Sequence, residues 1–128
     1  FERELQPLCL DQGVGVIPYS PLAAGFLTGK YRRGQPLPES ARADNVQRRY
    51  MNEQGFAAVD KLEEVGSGHD TTIAQTAIAW VLANPAVTSA IIGANSVAQL
   101  EDTVKGADVA LSAEDKAALD VVTAWDKA

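Results

Sequence analysis

The sequence predicts an α/β fold with parallel strands, of which residues 1–128 form an incomplete part. Three observations carry that prediction. Val14-Gly15-Val16-Ile17 is a short apolar run without alternation, which is how a parallel strand buried on both faces reads, and Val87 to Ile92 is a second such segment. Helical periodicities lie between and around the two, so the central part has the order of a right-handed β-α-β unit. Only two strands are visible, and two parallel strands alone leave both hydrogen-bonding edges unpaired. The start of the chain, in mid-helix and without a cap, adds to the expectation of a piece of a larger domain.

Each element follows from local chemistry. Phe1, Leu5, Leu8 and Cys9 recur at helical spacing, predicting a helix over about Glu2–Asp11 with one buried stripe, stopped by Gly13. After the first strand come Pro18-Tyr19-Ser20-Pro21 and then, from Leu22 to about Arg49, a Gly-, Pro- and Arg-rich connection with short helical turns. A connection of that length in a compact domain is usually functional. Phe56, Val59 and Leu62 mark another helix, which Gly66-Ser67-Gly68-His69-Asp70 is expected to break. Thr72-Ile73-Ala74-Gln75 has capping-box spacing and opens an apolar helix through Trp80 and Leu82 that stops at Asn84-Pro85. Ser96-Val97-Ala98-Gln99 repeats the capping pattern and starts a helix to about Gly106. Ser112 caps a last helix with the stripe Leu119, Val122 and Trp125.

Composition excludes several classes. The net charge of −6 disfavours a general surface for nucleic acid or anionic membrane. There is no long uncharged apolar run, and the N-terminal residues lack the pattern of a signal peptide, so a cytoplasmic setting is expected. Cys9, the single cysteine, has no disulfide or metal partner and reads as a packed core thiol. His69, the single histidine, reads as a surface loop residue. Six of the eleven basic residues, Lys30, Arg32, Arg33, Arg42, Arg48 and Arg49, fall within twenty positions that hold only Glu39 and Asp44 as acids. That segment is either a solvated loop or a local anion site.

Ligands of parallel α/β folds bind beyond the C-terminal ends of the strands, where loops and helix N-termini converge. Two segments occupy that place. Tyr19-Ser20-Pro21-Leu22-Ala23-Ala24-Gly25 offers an aromatic ring followed by a glycine that lets a ligand approach the backbone. Gly93-Ala94-Asn95-Ser96 leads straight into a capped helix, whose free N–H groups and positive end favour a phosphate. Each is also compatible with a purely structural role, as a core aromatic and a self-serving cap.

Taken together, Gly15-Val16-Ile17-Pro18-Tyr19-Ser20-Pro21-Leu22-Ala23-Ala24-Gly25-Phe26-Leu27-Thr28-Gly29-Lys30-Tyr31 and Ile91-Ile92-Gly93-Ala94-Asn95-Ser96-Val97-Ala98-Gln99-Leu100-Glu101-Asp102 resemble the two cofactor signatures of aldo-keto reductases. The similarity is to the branch containing bacterial general-stress reductases and potassium-channel β subunits. It implies the C-terminal part of a (β/α)8 TIM barrel, two parallel strands with about five helices, which would need the N-terminal half of the same barrel as its partner. It also implies NADPH/NADP as cofactor and a small-molecule carbonyl substrate. By that resemblance Tyr19 stacks on the nicotinamide, and Ser20, Pro21, Leu22, Gly25 and Lys30 line the pyrophosphate loop. Arg42 approaches the phosphates. Ser96 belongs to the phosphate turn, and Gly93, Asn95, Gln99 and Asp102 lie at the adenosine 2′-phosphate and adenine.

Two departures stand out. Many relatives carry Arg or Lys at the position of Asn95 and Asn at that of Thr103, and a missing cation weakens the charge-assisted hold on a 2′-phosphate. The family's proton-transfer Tyr, Lys, His and Asp come from earlier strands, and none of those motifs is present here, so no catalytic residue is assigned. The expected function is the cofactor-binding half of an NADPH-dependent reductase of aldehydes or ketones, inactive by itself. The alternatives are a nicotinamide-nucleotide-binding regulatory subunit without significant turnover, and a phosphate-binding barrel of unrelated chemistry.

Overall fold

The computed structural model describes residues 1–124. Six α-helices are found among them: α1 (Leu5–Gln12), α2 (Ala43–Tyr50), α3 (Glu53–His69), α4 (Ile73–Leu82), α5 (Val97–Val104) and α6 (Ala113–Thr123). Two 3₁₀ segments, Ala23–Thr28 and Lys105–Asp108, complete the order.

The two expected strands do not form as strands among the described residues. They meet instead in two isolated parallel bridges, Val16 with Val87 and Tyr19 with Ile91. The bridges rest on the Val16 N–H donating to the Ala86 carbonyl (3.1 Å), Thr88 N–H to Val16 O (2.8 Å) and Ile91 N–H to Pro18 O (2.9 Å). Between them Pro18 has no N–H to give, which interrupts the ladder. The direction is parallel, as expected, but the sheet is reduced to its minimum.

Packing is supplied by the helices. One core joins Phe26 and Tyr31 of the long connection to Ala43 and Val46 of α2 and Phe56 and Val59 of α3. Around Phe26 the rings of Tyr31, Tyr50 and Phe56 lie at centroid distances of 6.1, 6.0 and 5.6 Å, within the range of favourable aromatic pairs. The second core joins Leu62 and Val65 of α3 to Ala77 of α4 and Leu119 of α6, with Trp80 packed against it. The connection over 22–49 is therefore more ordered than a loop: it holds a 3₁₀ segment and a regular helix.

Gly66 to His69 do not break α3, which runs through them to an αL cap at Asp70. The reason is packing: a Cβ on Gly66 would stand 2.7 Å from Thr76 Oγ1 and 2.9 Å from the Thr71 carbonyl, so glycine lets the two helices approach. That gain outweighs the propensity cost of about 1 kcal/mol per helical glycine. His69 is consequently not a loop residue. It ends α3, half-buried, with Nε2 2.8 Å from Asp115 Oδ2 of α6.

The sequence stripe on α1 is also corrected. Leu5 and Leu8 are more than half exposed, α1 has no buried residue, and Cys9 is only half-buried, because no described element lies over that face. A similar uncovered stripe, Val97, Leu100 and Val104, runs along α5. Trp125, the last member of the predicted stripe on α6, lies outside the described residues.

Candidate functional site

The Tyr19–Ile91 bridge sets the geometry. Because the two segments run parallel, Tyr19 and Gly93 leave the pairing at the same end, and the predicted ligand segments start side by side. Tyr19 presents its ring to solvent at 82% exposure, a surface available for stacking.

Beyond Tyr19 the backbone turns through left-handed conformations at Ser20, Ala23, Ala24 and Gly25, with φ of 55°, 49°, 58° and 92°. Three of these are not glycine, and αL costs such residues roughly 1–2 kcal/mol each. The turn persists because it is held from within: Gly25 N–H donates to Leu22 O (2.9 Å) and Leu27 N–H to the same oxygen (3.1 Å). A side chain at Gly25 would meet Lys30 Cε at 3.2 Å and Nζ at 3.3 Å, so the glycine is where the lysine stem crosses the loop. Pro21 and Leu22 are half-buried beneath it.

Past this loop, Arg32 forms a two-point ion pair with Glu63 of α3, both contacts 3.1 Å. Arg33 reaches Glu53 (2.8 Å) and Asp60 (3.5 Å) and lies over the Phe56 ring, 4.6 Å from its centroid. The hydrogen bond from Arg32 holds the Glu63 carboxyl below its usual value, and raises that of Arg32 in turn. The basic segment is thus divided. Arg32 and Arg33 fasten the connection to α3, while Arg42, at the N-cap of α2, makes no side-chain hydrogen bond or ion pair with a described residue. Nothing in the sequence segment itself marks this fastening, although Glu53, Asp60 and Glu63 share one face of a helix.

At the second segment Ser96 caps α5, its Oγ accepting from Gln99 N–H at 3.2 Å. Gln99 answers with its side chain, Oε1 accepting from Asn95 N–H at 2.9 Å. The N–H groups of Val97 and Ala98, in the first turn, have no backbone partner within the helix. Gly93 and Asn95 are exposed, and a Cβ on Gly93 would meet nothing within 4 Å. Asp102 is placed differently from its neighbours. Its Oδ1 accepts from Gln75 Nε2 at 2.7 Å and its Oδ2 from Thr72 Oγ1 at 3.2 Å, so its carboxylate faces the cap of α4.

The arrangement offers an exposed ring, a compact turn with a lysine across it, and a helix start with free donors. That donor set suits an elongated ligand with an aromatic end and phosphates. The other ionisable groups lie elsewhere: Tyr31 is buried, Tyr50 stacks on Phe26, and His69 is engaged with Asp115. Among the described residues no group of three or more His, Cys, Asp or Glu could hold a metal ion, and no helix is long and apolar enough to cross a membrane.

The sequence profile described as "Aldo/keto reductase family" matches residues 1–124, and the chain belongs to that family. It is 39% identical over 114 residues to "Uncharacterized oxidoreductase YrpG" of Bacillus subtilis (strain 168), covering 88% of this chain and 33% of that protein. It is 36% identical over 113 residues to "Probable voltage-gated potassium channel subunit beta" of Arabidopsis thaliana, covering 84% and 34%. To "NADH-specific methylglyoxal reductase" of Escherichia coli (strain K12) it is 35% identical over 118 residues, covering 90% and 35%. Among solved structures, the thermostable aldo-keto reductase Tm1743 in complex with the inhibitor epalrestat matches with a TM-score of 0.64 and 26% identity, over 94% of this chain and 34% of that one. The chain spans about a third of the length of the curated relatives it matches.

Proposed function

We propose that residues 1–128 are the C-terminal, cofactor-holding part of a (β/α)8 barrel enzyme, a cytoplasmic NADPH-dependent reductase of aldehydes or ketones. The observation that carries this reading is the parallel bridge of Tyr19 with Ile91, which brings the stacking ring and the Gly93–Gln99 turn to one end of the pairing in a chain of the aldo/keto reductase family. In this reading Tyr19 stacks against a nicotinamide. Ser20, Pro21, Leu22, Gly25 and Lys30 follow the pyrophosphate, with Arg42 the nearest free cation in sequence. Gly93, Asn95, Ser96 and Gln99 receive the adenosine end, where the first-turn N–H groups of α5 favour a phosphate oxygen. Asp102 supports that end.

A bound nicotinamide would supply the hydride. What this chain would contribute is orientation: the ring of Tyr19 would stack on one face and leave the other to the carbonyl. The proton donor and the substrate pocket come from the rest of the barrel, which would also cover the exposed stripes of α1 and α5. The channel-subunit relative supports a second reading, in which the same site senses the nucleotide and turnover is insignificant.

The test is titration of the full-length protein with NADPH and NADH by fluorescence, followed by oxidation of NADPH at 340 nm with aldehydes and ketones. Binding that is lost on Tyr19→Ala, with turnover, supports the reductase. Binding without turnover supports the sensor, and absence of binding to either dinucleotide overturns both. The 128-residue chain alone should show no carbonyl reduction at saturating NADPH, since general acid catalysis is worth about 10²–10⁴-fold and orientation of the substrate is lost as well.

A further inference from the structure

Two consecutive arginines of the long connection are gripped by α3. Arg32 meets both oxygens of Glu63 at 3.1 Å, and Arg33 takes Glu53 at 2.8 Å and Asp60 at 3.5 Å. The chain turns there, Gln35 N–H donating to the Arg32 carbonyl at 3.3 Å.

What the grip holds is the backbone on either side of Lys30. Gly29 and Tyr31 are buried, and Lys30 between them is exposed. The Arg32 guanidinium lies against Gly29, with Nη2 3.3 Å from the place a Cβ would take. The Lys30 stem crosses Gly25 in the same way, Cε at 3.2 Å and Nζ at 3.3 Å. Its ammonium stands 5.4 Å from the centre of the Tyr31 ring. Contacts therefore run unbroken from Glu63 through Arg32 and Gly29–Tyr31 to the lysine laid across the Ser20–Gly25 turn. A lysine is a point charge on a flexible stem, and its rotamer freedom opposes holding it in one place. Fixing the backbone beside it lowers that cost.

We propose that Arg32 and its partner Glu63 are positioning residues: by fixing the backbone beside Lys30 they aim its ammonium across Gly25, and so set the affinity for the diphosphate of a dinucleotide that neither of them touches. This rests on the reading that Lys30 follows the pyrophosphate. Electrostatics alone predicts the reverse for Glu63. Removing its carboxylate takes a negative charge away from the neighbourhood of Lys30, which by the field alone tightens an anionic ligand, whereas loss of the clamp loosens it.

The experiment uses the full-length protein with Glu63→Ala, Arg32→Ala and the double variant. NADPH, NADH and adenosine 2′,5′-bisphosphate, which has no diphosphate bridge, are titrated by calorimetry. Each single substitution should weaken both dinucleotides alike, by about two- to fivefold, the scale of an exposed ion pair. The double variant should be no weaker than the weaker single, as for two residues acting through one contact, and the ratio to wild type should fall toward one in strong salt. Adenosine 2′,5′-bisphosphate should bind all four proteins equally. Unchanged or tighter dinucleotide binding in Glu63→Ala would overturn the proposal, and a loss confined to Arg32→Ala would do so too, because Arg32 would then contact the ligand directly. An equal loss for the bisphosphate would also overturn it, since the fold as a whole would have loosened. A wild type that binds neither dinucleotide removes the cofactor reading and the proposal together, whereas a wild type that binds, with variants that bind equally, removes the clamp alone. Should Arg32→Ala fail to fold, Arg32→Glu combined with Glu63→Arg replaces it: affinity regained relative to Glu63→Ala supports the clamp, and affinity not regained overturns it.

Discussion

Tyr31 is 1% exposed, and its hydroxyl, fully enclosed, has no hydrogen-bond partner among the described residues. Replacing it with phenylalanine tests how the first core is built. The ring keeps its place 6.1 Å from Phe26 and under the ammonium of Lys30, 5.4 Å from its centroid, so the packing terms stay nearly constant. What changes is the desolvated hydroxyl, which in the unfolded chain is hydrated and in the folded chain is not. Leaving such a group unpaired costs about 1–3 kcal/mol. Removing one oxygen from a filled core returns a small cavity penalty, on the order of a few tenths of a kcal/mol. The expected net effect of Tyr31→Phe is therefore a stabilisation of about 1–2 kcal/mol, or a rise in melting temperature of roughly 3–8 °C for a domain of this size. Urea unfolding at several temperatures, with the slope checked for constancy, measures it. A destabilisation of 1 kcal/mol or more would refute the reasoning, since it would mean that the hydroxyl has a partner, such as an enclosed water.

Gly106→Ala should destabilise by about 1–3 kcal/mol through overpacking, because its Cβ would stand 2.7 Å from the Gln75 carbonyl and 2.8 Å from Ile78 Cβ. Gly68→Ala, whose Cβ meets nothing within 4 Å, should instead stabilise by up to about 1 kcal/mol; thermal melts of the pair compare the two directly, and equal effects would contradict the packing argument. Acid should weaken the α3 contacts. Glu63 is held below the usual carboxylate value by Arg32, and Asp115 by the Ser112 hydroxyl and then His69. Both then contribute stability above the ordinary range near pH 4 that is lost as pH falls through the lowered values. Glu63→Gln should flatten the acid limb of the stability curve, and an unchanged limb would discount the pair. Asn95→Arg should tighten NADPH relative to NADH by about 1.5–3 kcal/mol; an equal gain for both cofactors would mean that position 95 does not face a 2′-phosphate.

What could be read in the sequence was short-range. The caps at Thr72, Ser96 and Ser112 are legible because each side chain takes an N–H three residues on, and all three form, although at Ser96 the box is incomplete: Gln99 reaches back to Asn95 N–H rather than to Ser96 N–H. The parallel direction of the two apolar segments was legible from their order with the helices between them. The seat of Asp102 was not, since Gln75 lies 27 residues away and nothing local announces the contact. The break expected at Gly66–Asp70 failed for the same reason: propensity is local, whereas the approach of α4 that rewards Gly66 is tertiary. The sequence suggests only short helical turns where the regular helix Ala43–Tyr50 forms, because its polar sequence offers only Ala43 and Val46 as buried contacts. For the two segments proposed to hold a ligand, the resemblance suggests the residues; the structure adds that Tyr19 and Gly93 depart from one end and that two arginines tie down the intervening connection.

Both cores are made by residues between Phe26 and Leu119, and neither contains a residue of the bridged segments, Val16 to Tyr19 and Val87 to Ile91. The chain thus has a robust part and a yielding part. Transient opening would release the bridges first, at a small fraction of the global unfolding free energy, while α3, α4 and α6 stayed associated. A protease acting on the opened form would then cut near Gly13–Val16, leaving the helical remainder as one resistant fragment, or near Thr88–Ala90, leaving a nicked species in which α6 stays associated with α3 through Leu119.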